Sequence, residues 1–407
     1  MTRRGPGTGL ALSLMLFMAV HAMFMSVIPI VTDDLQKGFS FSASQIGLLT
    51  SLYMVAFALG SIPMGILGSR WGGKVLLAGV AVMALGAVLF AFSSSYPWFI
   101  AARFVQGIGA SATLPVVNML VSQTFAPTER AKALGVFGAG LGVGVIAGLF
   151  GLPGLAAHGG YRAVFLAVAG VALVVGIVNL AQKALRRHPP GRPESFSVVI
   201  RRSAGMVRNR RLLLLIVVNI GASGIIVGLV AWTPAFLHDM RGASLAVAAY
   251  VSAGIGAAQL IGNPLGARLM LHWGKGAMYV VSLAAMAVSA AVIPLVPGLG
   301  AGLVFILVAG FFSMAVFPAI LAGAADTAHH PDDIGPATGL LNLTNLVGTL
   351  LAPWLFGVLL DTFGAGPEES GFRSGYLLLA LFALVGVVGG VALTAAWRRA
   401  AAAEPAA

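Results

Sequence analysis

Apolar runs of about 20 residues recur along the chain, the length a helix needs to cross the hydrocarbon core of a bilayer. Twelve are found: 10–31, 46–67, 75–92, 98–121, 133–154 and 163–185, then 212–237, 244–270, 277–296, 300–325, 336–360 and 374–397. In lipid each segment must satisfy its own backbone polar groups, and runs of this length do so as helices. The pattern predicts an all-α integral membrane protein with twelve transmembrane helices. One long polar interval, 186–211, is basic and carries Pro and Gly. It divides the spans into two six-helix, pseudo-symmetric halves, 1–185 and 212–407. A weak echo supports the repeat. The second span of each half ends in a basic turn with Trp-Gly, Gly65 to Lys74 in the first and Gly266 to Lys275 in the second.

Composition agrees. Of 407 residues, 59% are hydrophobic and 9% charged, whereas a soluble domain carries about 25% charged residues. There is no cysteine, which excludes disulfides, thiolate metal sites and cysteine nucleophiles. No phosphate loop is visible, so ATP-driven pumping is not expected. His329, His330, Asp332 and Asp333 follow a predicted helix and read as a solvated loop rather than a metal site. No nucleophile–base constellation is present. The expectation is therefore no enzyme, no cofactor and no metal.

The net charge of +12 could suggest nucleic acid until its placement is considered. With the N-terminus cytoplasmic and sides alternating, nineteen of the 24 Lys and Arg residues fall on the cytoplasmic side. That bias fits the positive-inside rule with both termini cytoplasmic, and the basic loops face anionic lipid. The first run follows Arg3 and Arg4 and imitates a secretory leader, but it is too long for a leader's apolar core and reads as a retained first span. The expected location is the cytoplasmic (inner) membrane.

Arg103 is the one formally charged residue placed well inside a span. Charge at that depth costs about 2.5–3.5 kcal/mol on insertion scales, and such residues usually face a cavity or a partner. At 3.6 residues per turn Gln106 and Asn118 lie beside it, so the three are expected to face a central cavity. The alternative is that Arg103 snorkels to the interface near Trp98. Gly107 and Gly109 offer a notch for close helix approach. His21 is the one histidine inside a span; imidazole titrates near neutrality, although a hydrogen-bonded structural role is also open. The twelve Asp and Glu residues fall in loops, tails or helix ends. A cavity with Arg and His and no carboxylate is biased toward anionic or neutral solutes.

These motifs resemble the major facilitator superfamily over nearly the whole chain. The loop after the second span matches its Gly-x-x-x-Asp-Arg-x-Gly-Arg-Lys pattern at Gly65, Arg70, Gly72 and Lys74, and departs from it at Ser69 and Gly73. In relatives this loop latches the halves on the cytoplasmic side, and loss of the carboxylate should weaken the latch. Arg103, Gln106, Gly107 and Gly109 match an Arg-x-x-Gln-Gly-x-Gly motif tied to the transport cycle. Gly140 to Gly148 resembles the fifth-helix motif of drug–proton antiporters, with Val145 where Pro is usual. The resemblance implies pairing of helices 5 with 8 and 2 with 11, and a pathway lined by helices 1, 4, 7 and 10. Asn219 on helix 7, also followed by a predicted helix break at Pro234, is then a further cavity candidate. It also implies a monomer.

The resulting expectation is a secondary transporter moving a small organic solute, anionic in preference, by alternating access. His21, Arg103, Gln106, Asn118 and Asn219 are the candidate substrate and coupling residues, with proton coupling through His21 left open. Export of drugs or metabolites by proton antiport is the alternative within transport. A non-translocating membrane sensor or scaffold is the alternative outside it.

Overall fold

The computed structural model describes residues 6–186, 205–206, 208–327, 334–366 and 370–403. Most of the predicted basic linker, and His329, His330, Asp332 and Asp333, lie outside the described residues. Those described are almost entirely helical. Ten helices are long and apolar enough to cross a membrane, and Gly9–Met25 is a shorter apolar helix.

In chain order the helices are α1 (Pro6–Met25), α2 (Thr32–Phe39), α3 (Ala43–Trp71), α4 (Lys74–Ala91), α5 (Tyr96–Ala110), α6 (Thr113–Thr124), α7 (Pro127–Gly151), α8 (Pro153–Leu180) and α9 (Lys183–Arg186). Then come α10 (Arg210–Arg241), α11 (Leu245–Ser252), α12 (Gly254–Val292), α13 (Leu299–Ala315), α14 (Phe317–Thr327), α15 (Ile334–Phe363) and α16 (Gly371–Ala403).

Several predicted runs are remodelled for local reasons. The first helix stops at Met25 and gives way to a 3-10 turn over Ile28–Ile30, because Pro29 cannot donate to the Met25 carbonyl. The run 98–121 is split into α5 and α6, and the run 300–325 into α13 and α14. Pro115 and Pro318 withhold the bonds that the Ser111 and Met314 carbonyls would receive in an unbroken helix. Conversely, the break expected at Pro234 does not occur, and α10 runs through to Arg241. Runs 244–270 and 277–296 join as one segment bent at Gly274, where φ 76° suits glycine.

The helices before residue 187 pack on one another, α1 against α7, α4 against α5 and α8, and α3 against α5. Those after residue 208 do likewise, α10 against α15 and α16, and α12 against α13 and α16. The two groups meet along α3 with α15 and along α7 with α12. Glycine permits both seams. A Cβ on Gly142 would lie 2.5 Å from the Gly256 carbonyl oxygen, and one on Gly47 would press into the Pro353 backbone.

Among the described residues, every hydrogen bond and ion pair between the groups lies toward one end of the bundle. There the Asp361 carboxylate accepts from the Ala43 and Ser44 backbone N–H groups at 2.8 and 2.9 Å. Ser51 Oγ donates to the Leu350 carbonyl at 2.7 Å. Asp33 lies 3.7 Å from His238. This is the closed end of the bundle.

Candidate functional site

Arg103 sits where α1, α3 and α5 converge, and it is fully buried. Its Nε donates to the Leu49 carbonyl at 3.0 Å. Nη1 donates to the Phe24 carbonyl at 3.1 Å and to Gln106 Oε1 at 2.7 Å. The guanidinium carbon lies 4.6 Å from the centre of the Tyr53 ring. Nη2 is buried without a hydrogen-bond partner. Among the described residues no carboxylate pairs with it; the ion pairs are Asp33 with Lys37 and with His238, and Asp326 with Lys275. The charge is held by carbonyl dipoles, one amide oxygen and an aromatic face.

Gln106 completes this clamp. It too is fully buried, and its Nε2 donates to the Gly86 carbonyl on α4 at 3.0 Å. Gly107 and Gly109 let the neighbouring helices come close enough. A Cβ at Gly107 would meet Ala56 Cβ on α3 at 2.6 Å, and one at Gly109 would meet Met83 N on α4 at 2.6 Å. The Arg-x-x-Gln-Gly-x-Gly stretch thus builds a buried node joining four helices.

His21 also packs against Tyr53. Its Nδ1 is 2.8 Å from the Tyr53 hydroxyl, which also donates to the His21 carbonyl at 3.1 Å. The imidazole stacks on Phe57 with centroids 4.4 Å apart. Tyr53 and Phe57 are four residues apart on α3, so they share a face. The structure therefore strings His21, Tyr53, Arg103 and Gln106 into one polar chain inside an apolar core.

The other expected members stand apart. Asn118 is exposed on α6. Asn219, on α10, donates to the Leu341 carbonyl on α15 at 2.9 Å. The expectation that Arg103 and Gln106 face a cavity beside Asn118 is not met, because both are sealed while Asn118 is not. Snorkelling is not met either: the Arg103 side chain turns inward, where carbonyls supply what water would. Tyr53 joins this polar chain without belonging to any sequence motif. The signal was available, since a hydroxyl inside a span needs a partner.

In the loop after α3, Gly72 adopts φ 63° and donates to the Gly68 carbonyl at 2.7 Å. Arg70 and Lys74 are exposed. A Cβ on Gly65 would lie 3.3 Å from Pro115 Cβ on α6. Ser69 Oγ turns back to the Ile66 carbonyl at 2.7 Å instead of capping a helix N-terminus. At the closed end, burial raises the Asp34 carboxyl above its ordinary value of 3.8, against the opposing hydrogen bond from the Tyr161 backbone. Asp34 Oδ2 is sealed without a partner.

A bundle with this many membrane-length helices, a buried arginine node and glycine-built seams is a multi-pass membrane protein. The chain belongs to the Major Facilitator Superfamily, whose model matches residues 10–330 and 241–407. It is similar to an uncharacterized MFS-type transporter, YtbD, of Bacillus subtilis, at 24% identity over 87% of this chain and 89% of that protein. It is 33% identical to a probable chloroplastic anion transporter 4 of Arabidopsis thaliana over 41% of this chain, a stretch that spans only 31% of that relative's length. A crystal structure of a bacterial homolog to the human lysosomal transporter Spinster, inward-facing and occupied, superposes with a TM-score of 0.79. The identity is 19%, over 96% of this chain and 97% of that one.

Proposed function

We propose that this chain is a secondary active transporter of a small organic solute, anionic in preference, working by alternating access. In this reading twelve spans form two six-helix halves, with α1 as the first span and the bend at Gly274 separating two others. The halves, 1–185 and 212–407, are joined by the basic linker 186–211. Both termini are cytoplasmic in the inner membrane, by the placement of Lys and Arg. The closed end is then the outer face, and the conformation opens inward.

The observation that carries the substrate class is Arg103, a fully buried cation with no carboxylate paired to it among the described residues. Its role changes from ligand to source of field. At an effective dielectric of about 20, a unit charge about 10 Å away feels roughly 1.7 kcal/mol, so an anion is favoured over a cation by about twice that. In this reading His21 meets the solute or a proton, and Gln106 orients the guanidinium. Asn118 and Asn219 shape the polarity of the pathway, and Gly65, Arg70, Gly72 and Lys74 belong to the latch of the opposite state. The Arabidopsis relative's description as a probable anion transporter supports this class.

The test is thermal stability of the purified protein against small carboxylates, lipophilic cations and neutral metabolites, since a ligand that binds the folded state raises stability by mass action. Carboxylates are expected to stabilise the wild type and Arg103→Lys, which keeps the charge, and to lose their effect in Arg103→Met. Stabilisation by lipophilic cations alone would overturn the anion reading in favour of drug export.

A further inference from the structure

We propose that Tyr53 is a positioning residue that holds His21 as the Nδ1–H tautomer, leaving the Nε2 lone pair as an acceptor for a hydrogen-bond donor in the pathway.

The Tyr53 hydroxyl carries a single proton. Two His21 atoms lie within hydrogen-bond distance of that oxygen, Nδ1 at 2.8 Å and the backbone carbonyl oxygen at 3.1 Å. A phenol can donate once and accept as well. If Nδ1 carries the proton, it donates to the hydroxyl and the hydroxyl donates to the carbonyl, so both contacts are hydrogen bonds. If Nδ1 is bare, it competes with the carbonyl for the same proton and one contact is lost. Only the Nδ1–H form keeps both contacts.

The surroundings hold the ring in this orientation. Phe57 stacks on it at 4.4 Å and Tyr53 at 5.6 Å, from one turn apart on α3. Arg103 lies over the Tyr53 ring at 4.6 Å and is fixed by the Leu49 and Phe24 carbonyls. From α7 the chain presents glycine to α1, Gly144 against Ala19 and Ala22. Nε2 makes no hydrogen bond, yet it is absent from the sealed unpartnered atoms, which include Arg103 Nη2. The little of the ring left open therefore includes Nε2. An Nε2 lone pair accepts from a solute hydroxyl, from an un-ionised acid or from a hydronium ion. It repels a bare carboxylate until it is protonated.

This deepens the transport reading and rests on it only for what reaches Nε2; the tautomer stands on geometry. The test uses the full-length protein with 15N-labelled histidine in lipid nanodiscs, at a pH where imidazole is neutral. The His21 signals are those lost in His21→Gln. The wild type should show a protonated Nδ1 and a bare Nε2. Tyr53→Phe keeps both aromatic contacts and removes the hydroxyl, and it should raise the ratio of Nε2–H to Nδ1–H about fivefold, the weight of one net hydrogen bond. An Nε2–H wild type overturns the proposal without any variant, and so does a Tyr53→Phe protein with an unchanged ratio. No solute enters this readout, so a failed anion assay leaves its result standing.

Discussion

Asp361→Asn should weaken the closed end by a calculable amount. The N-terminus of α3 leaves backbone N–H groups that the helix cannot use itself. Ser42 caps one and Gln45 reaches back to another, completing a capping box. The Ala43 and Ser44 N–H groups are taken by Asp361, a residue on α15 some 318 positions away in the chain. Hydrogen bonds to a charged group contribute about 1.5–3 kcal/mol and neutral ones about 0.5–1.5. Asparagine keeps one acceptor oxygen and no charge, so one bond is lost and the other becomes neutral. Asp361 is solvent-exposed, so the lower ends of these ranges apply: two charged bonds at about 1.5 kcal/mol less one neutral bond at about 0.5, a net loss of about 2.5 kcal/mol, or roughly 70-fold in an equilibrium constant. Because the contact joins the two groups of helices, that loss falls on the state in which this end is closed. The chain has no native cysteine, so spin labels at Gln36→Cys and Val247→Cys report the closed end without background. Pulsed dipolar spectroscopy should show a longer distance population gaining weight in Asp361→Asn and gaining more in Asp361→Ala. Identical distance distributions in all three proteins would refute the reasoning.

Three further outcomes follow from the buried groups. Arg103→Met removes three charge-assisted hydrogen bonds at about 1.5–3 kcal/mol each and relieves an insertion cost of about 2.5–3.5, a net destabilisation of about 2–5 kcal/mol, measurable by equilibrium unfolding in mixed micelles. Gly144→Ala drives a methyl into the Ala19 carbonyl and to within 2.6 Å of Ala22 Cβ; neither can yield cheaply, and a loss of about 1–3 kcal/mol is expected in the same assay. Asp34→Asn should raise the melting temperature at neutral pH. With its carboxyl raised by burial, the folded wild type carries a charge penalty that fades as pH falls through the folded value toward 3.8. The advantage of Asn should shrink over that window, and an advantage independent of pH would contradict the assignment.

The helical membrane class was legible because the hydrocarbon core imposes one length and one polarity on every span. Where the helices stop was less so. Pro29, Pro115 and Pro318 coincide with interruptions, while Pro63, Pro234, Pro264 and Pro353 lie inside continuous helices. The same missing N–H is present in each, and tertiary packing decides whether the helix continues. The site was half legible. Arg103 and Gln106 stood out by their cost in lipid, and they are indeed coupled. Helical spacing could not say whether their shared face met a cavity or a neighbouring helix, because the partners are backbone carbonyls, which leave no trace in side-chain pattern. Tyr53 was hidden for a related reason: it acts through residues 32 and 50 positions away. Asp361 looked like a loop-end acid, and its partner is a helix N-terminus rather than a basic side chain.

Alternating access moves an anion only if the protein opens its closed end. The most direct measurement is uptake, into proteoliposomes, of the carboxylate that stabilises the purified protein most, using a chain with Asp33→Cys and His238→Cys. These positions face each other across the closed end, and a short reducible thiol cross-linker can join them. Saturable uptake by the uncross-linked protein, loss of uptake on cross-linking, and recovery on reduction are expected. Uptake that is indifferent to the cross-link, or no uptake of any stabilising anion by folded protein, would contradict anion transport by alternating access.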